Sequence, residues 1–308
     1  MSELHHQQPS VSVLIVNYKS GPYAVECIHS LLKQKYAPLQ IIVVDNASGD
    51  GSVNLLRSTF GNVITLIESP DNLGFGQANN LAASHANGDY LLLVNPDASL
   101  LDQAFISTLI SFVEQQPDIG IAGPEIHEPG KQKYVLPKKK YPSEGRLGNK
   151  DFLKQLPGAY AWILGACMCI RRSLFEQIGG FDPEFFLYGE DTDICLRVRK
   201  AGYRVGYCKE AKLTHVGGAS ESTAIPLDKF LRKKRGFFLF CRKHYDPSDV
   251  KRIAQMSLVS TYFASLKIAI RKLLGAGDVC ELQNRMQRIE ATRIVIRETL
   301  EHYKKMQA

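Results

Sequence analysis

The sequence predicts an α/β fold in which helices cover both faces of a mostly parallel β-sheet, followed by a helical C-terminal extension. Short β-branched and apolar runs alternate with segments whose apolar residues recur at helical spacing. Polar, turn-forming residues follow each of the first four runs. Beyond residue 227 this alternation stops, and basic clusters are mixed with aromatic and aliphatic residues.

The N-terminal part repeats a strand–helix unit. Residues 11–17 and 40–45 are short β-branched runs, and residues 23–34 between them carry apolar side chains at helical spacing. An apolar run at 63–68, a helical segment at 76–87 and an apolar run at 90–95 continue the alternation. Strands connected in this way pair in parallel and are covered on both faces, which predicts the central sheet.

The remaining elements of the sheet are expected after an interruption. Residues 120–160 are rich in Pro, Gly and Lys, which predicts a long loop. Regular structure is expected to return at 161–171, where the apolar run ILGACMCI predicts a buried strand that contains Cys167 and Cys169. A zinc pair is disfavoured, because the sequence nearby has no second pair at zinc spacing. A helix at 191–200 and short strands at 203–207 and 211–215 complete the predicted domain.

Three parts of the chain differ in composition. Residues 1–10 are polar and are expected to be disordered, residues 11–222 form the predicted α/β domain, and residues 223–308 form a basic, amphipathic helical extension. The last helix places apolar residues near a heptad seam interrupted by Arg293, at Leu282, Met286, Ile289, Ile296, Leu300 and Tyr303. Such a helix either forms a homodimer or lies against its own domain.

Composition restricts the class and the compartment. The chain has 308 residues, of which 44% are hydrophobic, so it can bury a large core. Its seven cysteines show no disulfide framework, which predicts a reducing compartment. We find no signal-peptide pattern at the N-terminus and no stretch of the ~20 apolar residues that span a bilayer. We therefore expect a cytoplasmic protein that can lie at the inner face of the membrane.

The net charge of +7 is concentrated in two regions, Lys138–Lys140 and Lys229–Lys243. The second region alternates cationic and bulky apolar residues and precedes an apolar stretch at 258–270. Such segments lie readily on an anionic lipid surface, so peripheral membrane association is expected. No nucleic-acid recognition module is present, and we expect no nucleic-acid partner. A plain amphipathic packing helix is the remaining alternative.

Polar residues at the ends of the first four strands outline a candidate site. They are Asn17-Tyr18, Asp45-Asn46, Asn72 with Gly74, and Asn95-Pro96-Asp97. Each alone is a common turn former, but ligands of such sheets bind at the carboxyl ends of the strands. The Asn72–Gly76 segment has neither the dinucleotide G-x-G-x-x-G pattern nor the P-loop Lys, which excludes dehydrogenase and P-loop classes.

Two groups of residues offer chemistry at this edge. Asp97 follows a buried strand and could hold a divalent cation, and His215 precedes Gly217-Gly218 near the same edge. The structural alternatives are that Asp97 is a turn former and that His215 is a packed or surface histidine. Glu190, Asp191 and Asp193 crowd a helix start, where capping is the alternative. Crowded carboxylates raise one another's pKa, which suits one of them to accept a proton.

The sequence resembles the family 2 inverting glycosyltransferases, and within them the bacterial rhamnosyltransferase-like branch, over residues 10–220. The resemblance rests on the order of VSVLIVNY, VVDNAS, DNLGFGQANN, LLLVNPDA, the block GACMCIRRSLFEQIGGFDPEFFLYGEDTDICLRVRKAGY, and THVGG. It implies a GT-A-type fold for the predicted domain.

The resemblance also implies roles for the matching residues. Nucleotide-sugar contacts fall on Val16, Asn17, Tyr18, Asp45, Asn72, Gly74, Asn79, Asn95 and Asp97, and the sugar and acceptor pocket on Trp162, Gly165 and Ala166. Asp97 matches the metal-binding residue and His215 a histidine that joins the metal in some members, while Asn95 replaces the first acidic residue of the metal motif. Asp191 matches the catalytic base, and Glu190 a residue that helps to bind the acceptor.

The implied reaction is a single displacement with inversion that depends on Mg²⁺ or Mn²⁺. The resemblance favours dTDP-L-rhamnose as donor and a saccharide or polyprenyl-linked acceptor in the synthesis of cell-surface polysaccharide, such as lipopolysaccharide. Transfer from a UDP-sugar such as UDP-galactofuranose or a UDP-N-acetylhexosamine stays open, as does a non-catalytic nucleotide-sugar-binding protein. A nucleotidyltransferase would carry a basic Gly-rich loop near the N-terminus, and the sequence has none.

Overall fold

A computed structural model describes residues 8–218, 226–275 and 278–305. The chain divides into two compact units. The first comprises Met1–Lys140, Leu156–Phe186 and Glu190–Ser220, and the second comprises Tyr141–Gln155, Leu187–Gly189 and Glu221–Ala308. Most of the segment predicted to be disordered at the N-terminus, residues 1–7, lies outside the described residues.

The first unit is the α/β part of the chain. Its described strands are β1 (Val11–Asn17), β2 (Leu39–Asn46), β3 (Thr65–Ser69), β4 (Tyr90–Val94), β5 (Ala98–Leu100), β6 (Ile119–Glu128), β7 (Lys133–Val135), β8 (Cys167–Arg171) and β9 (Arg204–His215). Its described helices are α1 (Gly21–Leu32), α2 (Ser52–Phe60), α3 (Gly74–Ser84), α4 (Phe105–Glu114), α6 (Arg172–Gln177) and α7 (Glu190–Lys200), and α5 (Asp151–Lys154) belongs to the second unit.

The strands form one sheet in the order β3-β2-β1-β4-β8-β6-β9-β5, with β7 beside β6. The four strands at the N-terminal end of this order are parallel, as predicted, and bring Asn17 opposite Asp45. Strand β8 runs antiparallel to β4 and β6, while β9 is parallel to β6 and antiparallel to β5. The last pairing places Ala98 opposite His215 and so carries the C-terminal end of β9 to the segment that follows β4.

Two predictions about this sheet were wrong. Residues 119–128 are a largely buried strand inside the sheet, although the composition of 120–160 predicted a loop. Gly120 and Gly123 serve close packing there, since an added Cβ would come within 2.6 Å of Tyr203 and 3.0 Å of Ile163. The expected pair of strands at 203–207 and 211–215 is one continuous strand, whose pairing with β6 shifts register between Pro124 and Glu125.

Buried side chains form two hydrophobic clusters. Along β1, Val13 and Ile15 belong to one cluster, while Leu14 and Val16 belong to the other. Because successive side chains of a strand point to opposite faces, the clusters are the two layers that α/β strands require. Cys167 and Cys169 are free and fully buried in β8, which confirms the prediction of a strand there.

The second unit contains three long helices, α8 (Pro226–His244), α9 (Pro247–Leu273) and α10 (Val279–Lys305). Helix α10 packs against α8 and α9, and Leu282, Ile296 and Tyr303 of its apolar seam are buried. This packing favours the interpretation of α10 as a helix docked within its own unit. Among the described helices, α9 has the length and composition of a membrane span, contrary to the expectation that no stretch of the sequence would reach them.

Candidate active site

The ends of β1 and β2 are joined by a buried hydrogen-bond network. The Asn17 side-chain amide donates to Oδ1 of Asp45 at 2.7 Å and to Oγ of Ser48 at 3.2 Å. The Ser48 hydroxyl donates to Asp45 at 2.6 Å, and its backbone amide donates to the other carboxylate oxygen at 3.1 Å. Charged acceptors make the stronger hydrogen bonds, so this network holds the Asp45 carboxylate in one orientation at the sheet edge.

Asn46 connects β2 to the start of α3. Its side-chain amide donates to Oδ1 of Asn72 at 3.0 Å and to the Gly74 carbonyl at 3.1 Å, and it accepts from the Leu73 amide at 2.8 Å. Gly74 has a φ of +76°, and a Cβ there would lie 2.1 Å from the carbonyl oxygen of Phe186. Only glycine fits this turn, which confines the Asn72–Gly74 backbone close to the sheet edge.

The residues that follow β4 meet the end of β9. His215 Nε2 lies 3.2 Å from Oδ1 of Asp97 and 3.2 Å from the side-chain nitrogen of Asn95. Gly217 donates its backbone amide to Oδ2 of Asp97 at 2.9 Å. Oδ1 of Asn95 and Nδ1 of His215 are buried and have no hydrogen-bond partner in the described part of the chain. The structure therefore brings together Asn95, Asp97 and His215.

These residues fit a divalent cation. Two ligands at right angles around an ion with bonds of about 2.1 Å are separated by about 3 Å, close to the observed Asp97–His215 distance. The orphaned Asn95 oxygen is a further acceptor at the same place. Within residues 8–218, 226–275 and 278–305, no group of three or more His, Cys, Asp or Glu side chains is placed to hold a metal ion, so substrate oxygens and water would complete the coordination.

Asp191 and Glu190 begin α7. Oδ1 of Asp191 accepts from the Thr192 amide at 2.7 Å, and Oδ2 accepts from the Gly165 amide at 3.4 Å. Asp191 stays partly accessible, whereas Glu190 is buried and its Oε2 has no partner among the described residues. Burial raises the pKa of both carboxyl groups, and the charge of Asp191 raises that of Glu190 further. Such groups suit proton transfer near neutral pH.

The segment before β8 contacts both Asp191 and Asn95. Gly165 contacts Asp191 through its amide, and the carbonyl of Ala166, the next residue, accepts from the Asn95 amide at 2.9 Å. Consecutive residues therefore touch the candidate base and the candidate metal region. Trp162 lies three residues before Gly165 and is partly buried. Its indole N–H donates to the Lys140 carbonyl at 3.2 Å.

The other residues predicted for the site are held by packing or by contacts within their own strand, turn or helix. Val16 is buried in the sheet, and the Lys19 ammonium lies 5.3 Å from the Tyr18 ring centroid. Asn79 is buried and donates to the Phe75 carbonyl of its own helix at 2.9 Å. Asp193 forms a buried ion pair with Arg197 at 2.7 Å, which gives it a structural task distinct from that of Asp191.

The sequence places Asn46, Ser48 and Gly217 at the predicted edge but assigns none of them a role. Asn46 and Ser48 flank Ala47 directly after Asp45, where such residues are common turn formers. Their hydrogen bonds to Asn72 and Asp45 could have been expected from the alignment of parallel strand ends. Gly217 contributes a backbone amide, for which a sequence carries no side-chain signal.

Two family models match the chain. The one described as Glycosyl transferase family 2 matches residues 12–179, and the one described as the N-terminal domain of galactosyltransferase matches residues 152–217. The first match covers β1 to α6 and includes every predicted nucleotide-sugar residue.

Similar proteins include rhamnosyltransferases. The chain is 28% identical over 232 residues to the N-acetylglucosaminyl-diphospho-decaprenol L-rhamnosyltransferase of Mycobacterium tuberculosis, covering 66% of this chain and 75% of that protein. It is 27% identical over 210 residues to the O-antigen chain rhamnosyltransferase WbaN of Salmonella anatum, covering 67% of this chain and 66% of that protein.

Solved structures share the fold. The mannosyltransferase PcManGT from Pyrobaculum calidifontis, in complex with GDP-Man and Mn²⁺, matches with a TM-score of 0.60 and 19% identity, covering 94% of this chain and 87% of that one. GalNAc-T7 with UDP, GalNAc and Mn²⁺ matches with a TM-score of 0.58 and 15% identity, covering 92% and 55%. The predicted GT-A-type α/β fold is confirmed.

Proposed function

Since the chain belongs to glycosyl transferase family 2, as its motifs predicted, we propose that it is an inverting rhamnosyltransferase. It moves L-rhamnose from dTDP-L-rhamnose to a saccharide or lipid-linked saccharide in the synthesis of cell-surface polysaccharide. The names of the two rhamnosyltransferases above support rhamnose as the transferred sugar. The observation that carries the proposal is the accessible Asp191 carboxylate, held by the Gly165 amide beside the segment that contacts Asn95.

Asp191 acts as the general base. Its carboxylate accepts the proton of the acceptor hydroxyl while that oxygen attacks the anomeric carbon from the face opposite the diphosphate. The bond between the anomeric carbon and the diphosphate oxygen breaks in the same step, so the configuration inverts without a covalent intermediate on the enzyme. The amides of Thr192 and Gly165 fix the carboxylate, and the raised pKa of Asp191 strengthens it as a base.

Glu190 binds the acceptor. Its Oε2 is buried and has no partner in the described chain, so a sugar hydroxyl can satisfy this oxygen when the acceptor enters. Trp162 and Ala166 belong to the same segment as Gly165 and complete the proposed sugar and acceptor pocket. Apolar ring faces commonly accompany such polar contacts in carbohydrate-sized pockets.

The nucleotide is held at the ends of β1 and β2. Asp45 and Asn17 are fixed by mutual hydrogen bonds and present their remaining lone pairs and N–H groups to the base and ribose. The Asn72–Gly74 turn, shaped by Asn46, lets the nucleotide approach the backbone closely. Val16, Tyr18 and Asn79 stand on the same elements and complete the proposed donor site.

Asp97 and His215 would hold Mg²⁺ or Mn²⁺, with the Asn95 side chain beside them. Bound there, the cation neutralises the charge that develops on the departing diphosphate. Two protein ligands suffice for these hard cations, because phosphate oxygens of the donor and water supply the others. The structures of PcManGT and GalNAc-T7, both solved with Mn²⁺, support this use of a cation.

A product assay tests the proposal. The purified chain is incubated with dTDP-L-rhamnose, Mn²⁺ and a polyprenyl-diphosphate-linked N-acetylhexosamine, and the release of dTDP and the anomeric configuration of the product are measured. We expect acceptor-dependent release of dTDP and an inverted linkage. Retention of configuration would contradict the single displacement, and release of pyrophosphate would indicate a nucleotidyltransferase instead.

The second candidate is transfer from a UDP-sugar. The match of the galactosyltransferase model to residues 152–217 favours it, because this segment includes Trp162, Asp191 and His215. A thermal-shift panel of dTDP-rhamnose, UDP-galactofuranose and UDP-N-acetylglucosamine, with and without Mn²⁺, separates the donors. Binding of a donor without any turnover would instead indicate a non-catalytic nucleotide-sugar-binding protein.

We also propose a place in the cell. The acceptor named for the mycobacterial relative is linked to decaprenol, which places such a substrate at a membrane. The chain would then act in the cytoplasm at the inner face of that membrane, where nucleotide sugars are used. Fractionation of cells that express the full chain tests this location, and its recovery only with soluble proteins would contradict it.

A further inference from the structure

A cavity of about 880 Å³ lies within the second unit, among α8, α9, α10 and the segment that contains Arg146. Four cationic side chains line it: Arg146, Lys233, Lys234 and Arg288. Hydroxyl groups such as those of Ser257 and Ser260 add neutral donors, and no acidic residue is among its lining residues. The cavity is therefore a concave, strongly cationic site far larger than a single water or ion requires.

Three of the four cations of this cavity have no acidic partner in the part of the chain that the structure describes. Within the residues that the structure describes, Arg146, Lys234 and Arg288 have no acidic group at ion-pair distance. Two nearby cations that do not line the cavity are paired: Arg235 with Glu298 at 2.7 Å and Arg285 with Glu281 at 2.6 Å. Unpaired like charges around one cavity repel each other, which favours the binding of an anion.

Specific contacts hold the cations in position. Arg146 Nη1 donates to Oγ of Ser257 at 3.1 Å, and the Arg288 guanidinium lies 4.8 Å from the Phe230 ring centroid. The Lys234 ammonium lies 5.8 Å from the Phe237 centroid. Burial, followed by the charges of Arg146 and Arg288, lowers the pKa of Lys234. Preorganised cations of this kind lose little entropy when they bind an anion.

We propose that this cavity binds the phosphate group of a phosphorylated ligand that also carries an apolar part. A phosphate or diphosphate offers several acceptor oxygens, which match the guanidinium, ammonium and hydroxyl donors of Arg146, Lys234, Arg288 and Ser257. The cavity volume is in the range of sites for small molecules rather than for a single anion, and Phe230 and Phe237 supply apolar walls. The binding is independent of sugar transfer.

The outer face of α9 indicates that the ligand comes from a lipid surface. Apolar side chains exposed by 45% to 88% recur along it at Met256, Val259, Phe263, Leu266, Ile270 and Leu273. The spacing of three and four residues places them on one side of the helix. Lys267, Arg271 and Lys272 are exposed near its C-terminal end. A contiguous apolar face flanked by cations is typical of helices that lie in a membrane interface.

Vesicle binding tests the proposal. Full-length protein is sedimented with vesicles of phosphatidylcholine alone and of phosphatidylcholine with phosphatidic acid, whose headgroup is a phosphate monoester. No donor sugar is present, so failure of rhamnosyl transfer leaves the result unaffected. We expect binding only to vesicles with phosphatidic acid, and roughly tenfold weaker binding for the double variant Lys234→Gln/Arg288→Gln.

A charge-matched control distinguishes the cavity from general surface charge. Lys304→Gln/Lys305→Gln removes the same two charges from exposed positions of α10 and should bind nearly as the unchanged chain does. Equal losses in both double variants would overturn the cavity site. Lys234→Arg keeps the charge and should retain binding. Equal melting temperatures of all the variants would show that a loss of binding does not come from a folding defect.

Inorganic pyrophosphate distinguishes a lipid from a free phosphate. We expect it to displace the chain from vesicles and to bind weakly by calorimetry, both effects being lost in Lys234→Gln/Arg288→Gln. Tight pyrophosphate binding without vesicle binding would assign the cavity to a free phosphate. Binding of neither probe would overturn the proposal. If Phe263→Ser/Leu266→Ser changes only the oligomeric state, the outer face of α9 pairs with a second copy and the lipid origin is wrong.

Discussion

His215 Nε2 lies 3.2 Å from Oδ1 of Asp97, and the two residues come from segments far apart in the sequence. The antiparallel pairing of β5 with β9 sets Ala98 opposite His215, and the Val216 amide donates to the Asp97 carbonyl at 3.1 Å. The side chains are thus held together by backbone hydrogen bonds. Such backbone support would preorganise the pair for the cation proposed above.

Replacing either residue should therefore weaken cation binding. We expect His215→Ala and Asp97→Asn to raise the Mn²⁺ concentration needed for half-maximal activity by 10- to 100-fold or more, because even changes around metal ligands cost about that much. Titration of Mn²⁺ in the transfer assay measures it. His85→Ala, at an exposed position of the turn after α3, is the control. An unchanged requirement in both variants would exclude the pair as ligands.

Asp191→Asn should abolish most of the turnover. We expect a loss of about 10²- to 10⁴-fold in kcat, the typical contribution of a general base, with donor affinity nearly unchanged. The amide keeps the size of the side chain but cannot accept the acceptor proton. Asp193→Asn is the matched control, because it weakens the ion pair with Arg197. This variant should lower the melting temperature and leave kcat nearly unchanged. Near-normal turnover of Asp191→Asn would assign the base elsewhere.

The sequence could predict the sheet edge but not the contacts across it. Asn17, Asp45, Asn72 and Asn95 follow four strands that alternate with helices, so their common edge follows from parallel pairing. The contact between Gly165 and Asp191 uses a backbone amide, which every residue except proline has, and no side-chain pattern marks it. Strand β6 was missed because the Pro, Gly and Lys content of residues 120–160 predicted a loop, although Gly120 and Gly123 serve close packing in that strand.

Gly74→Ala should destabilise the chain and impair donor binding. The alanine Cβ would lie 2.1 Å from the Phe186 carbonyl oxygen, and the φ of +76° adds strain. We expect the free energy of unfolding to fall by about 2 to 5 kcal/mol, the sum of overpacking and left-handed strain. Gly49 has a φ of +62°, and an added Cβ would have no atom within 4 Å. Gly49→Ala should therefore lower the free energy of unfolding by only about 1 kcal/mol. Equal urea midpoints of both variants would contradict the close approach.

Glu190 should make folding stability depend on pH. Burial raises its pKa in the folded chain above the ordinary value of about 4.3. Between these two values the unfolded chain has already released the proton that the folded chain retains, so the free energy of unfolding falls as pH rises through this window. Each unit of difference costs about 1.4 kcal/mol.

Glu190→Gln removes this titration, so its melting temperature should rise relative to the unchanged chain as the pH increases from about 5 upward. Thermal melts at a series of pH values measure the difference. Glu176→Gln is the control, because Glu176 is exposed and paired with Arg172 at 2.9 Å. A difference that is constant with pH would show that Glu190 is ionised in the folded chain throughout the range.

Asn95→Asp tests why the metal region lacks a second carboxylate. Oδ1 of Asn95 is buried and has no partner among the described atoms, so a carboxylate there would lie against Asp97 and His215. Without cation the two carboxylates repel, and we expect a lower melting temperature in EDTA. With Mn²⁺ the added charge attracts the ion, and the Mn²⁺-induced rise in melting temperature should exceed that of the unchanged chain. Asn54→Asp, exposed on α2, adds the same charge and should show neither effect. If Asn95→Asp also leaves both melting temperatures unchanged, the Asn95 side chain does not face the cation. Asp97 and His215 would then be its protein ligands without help from Asn95.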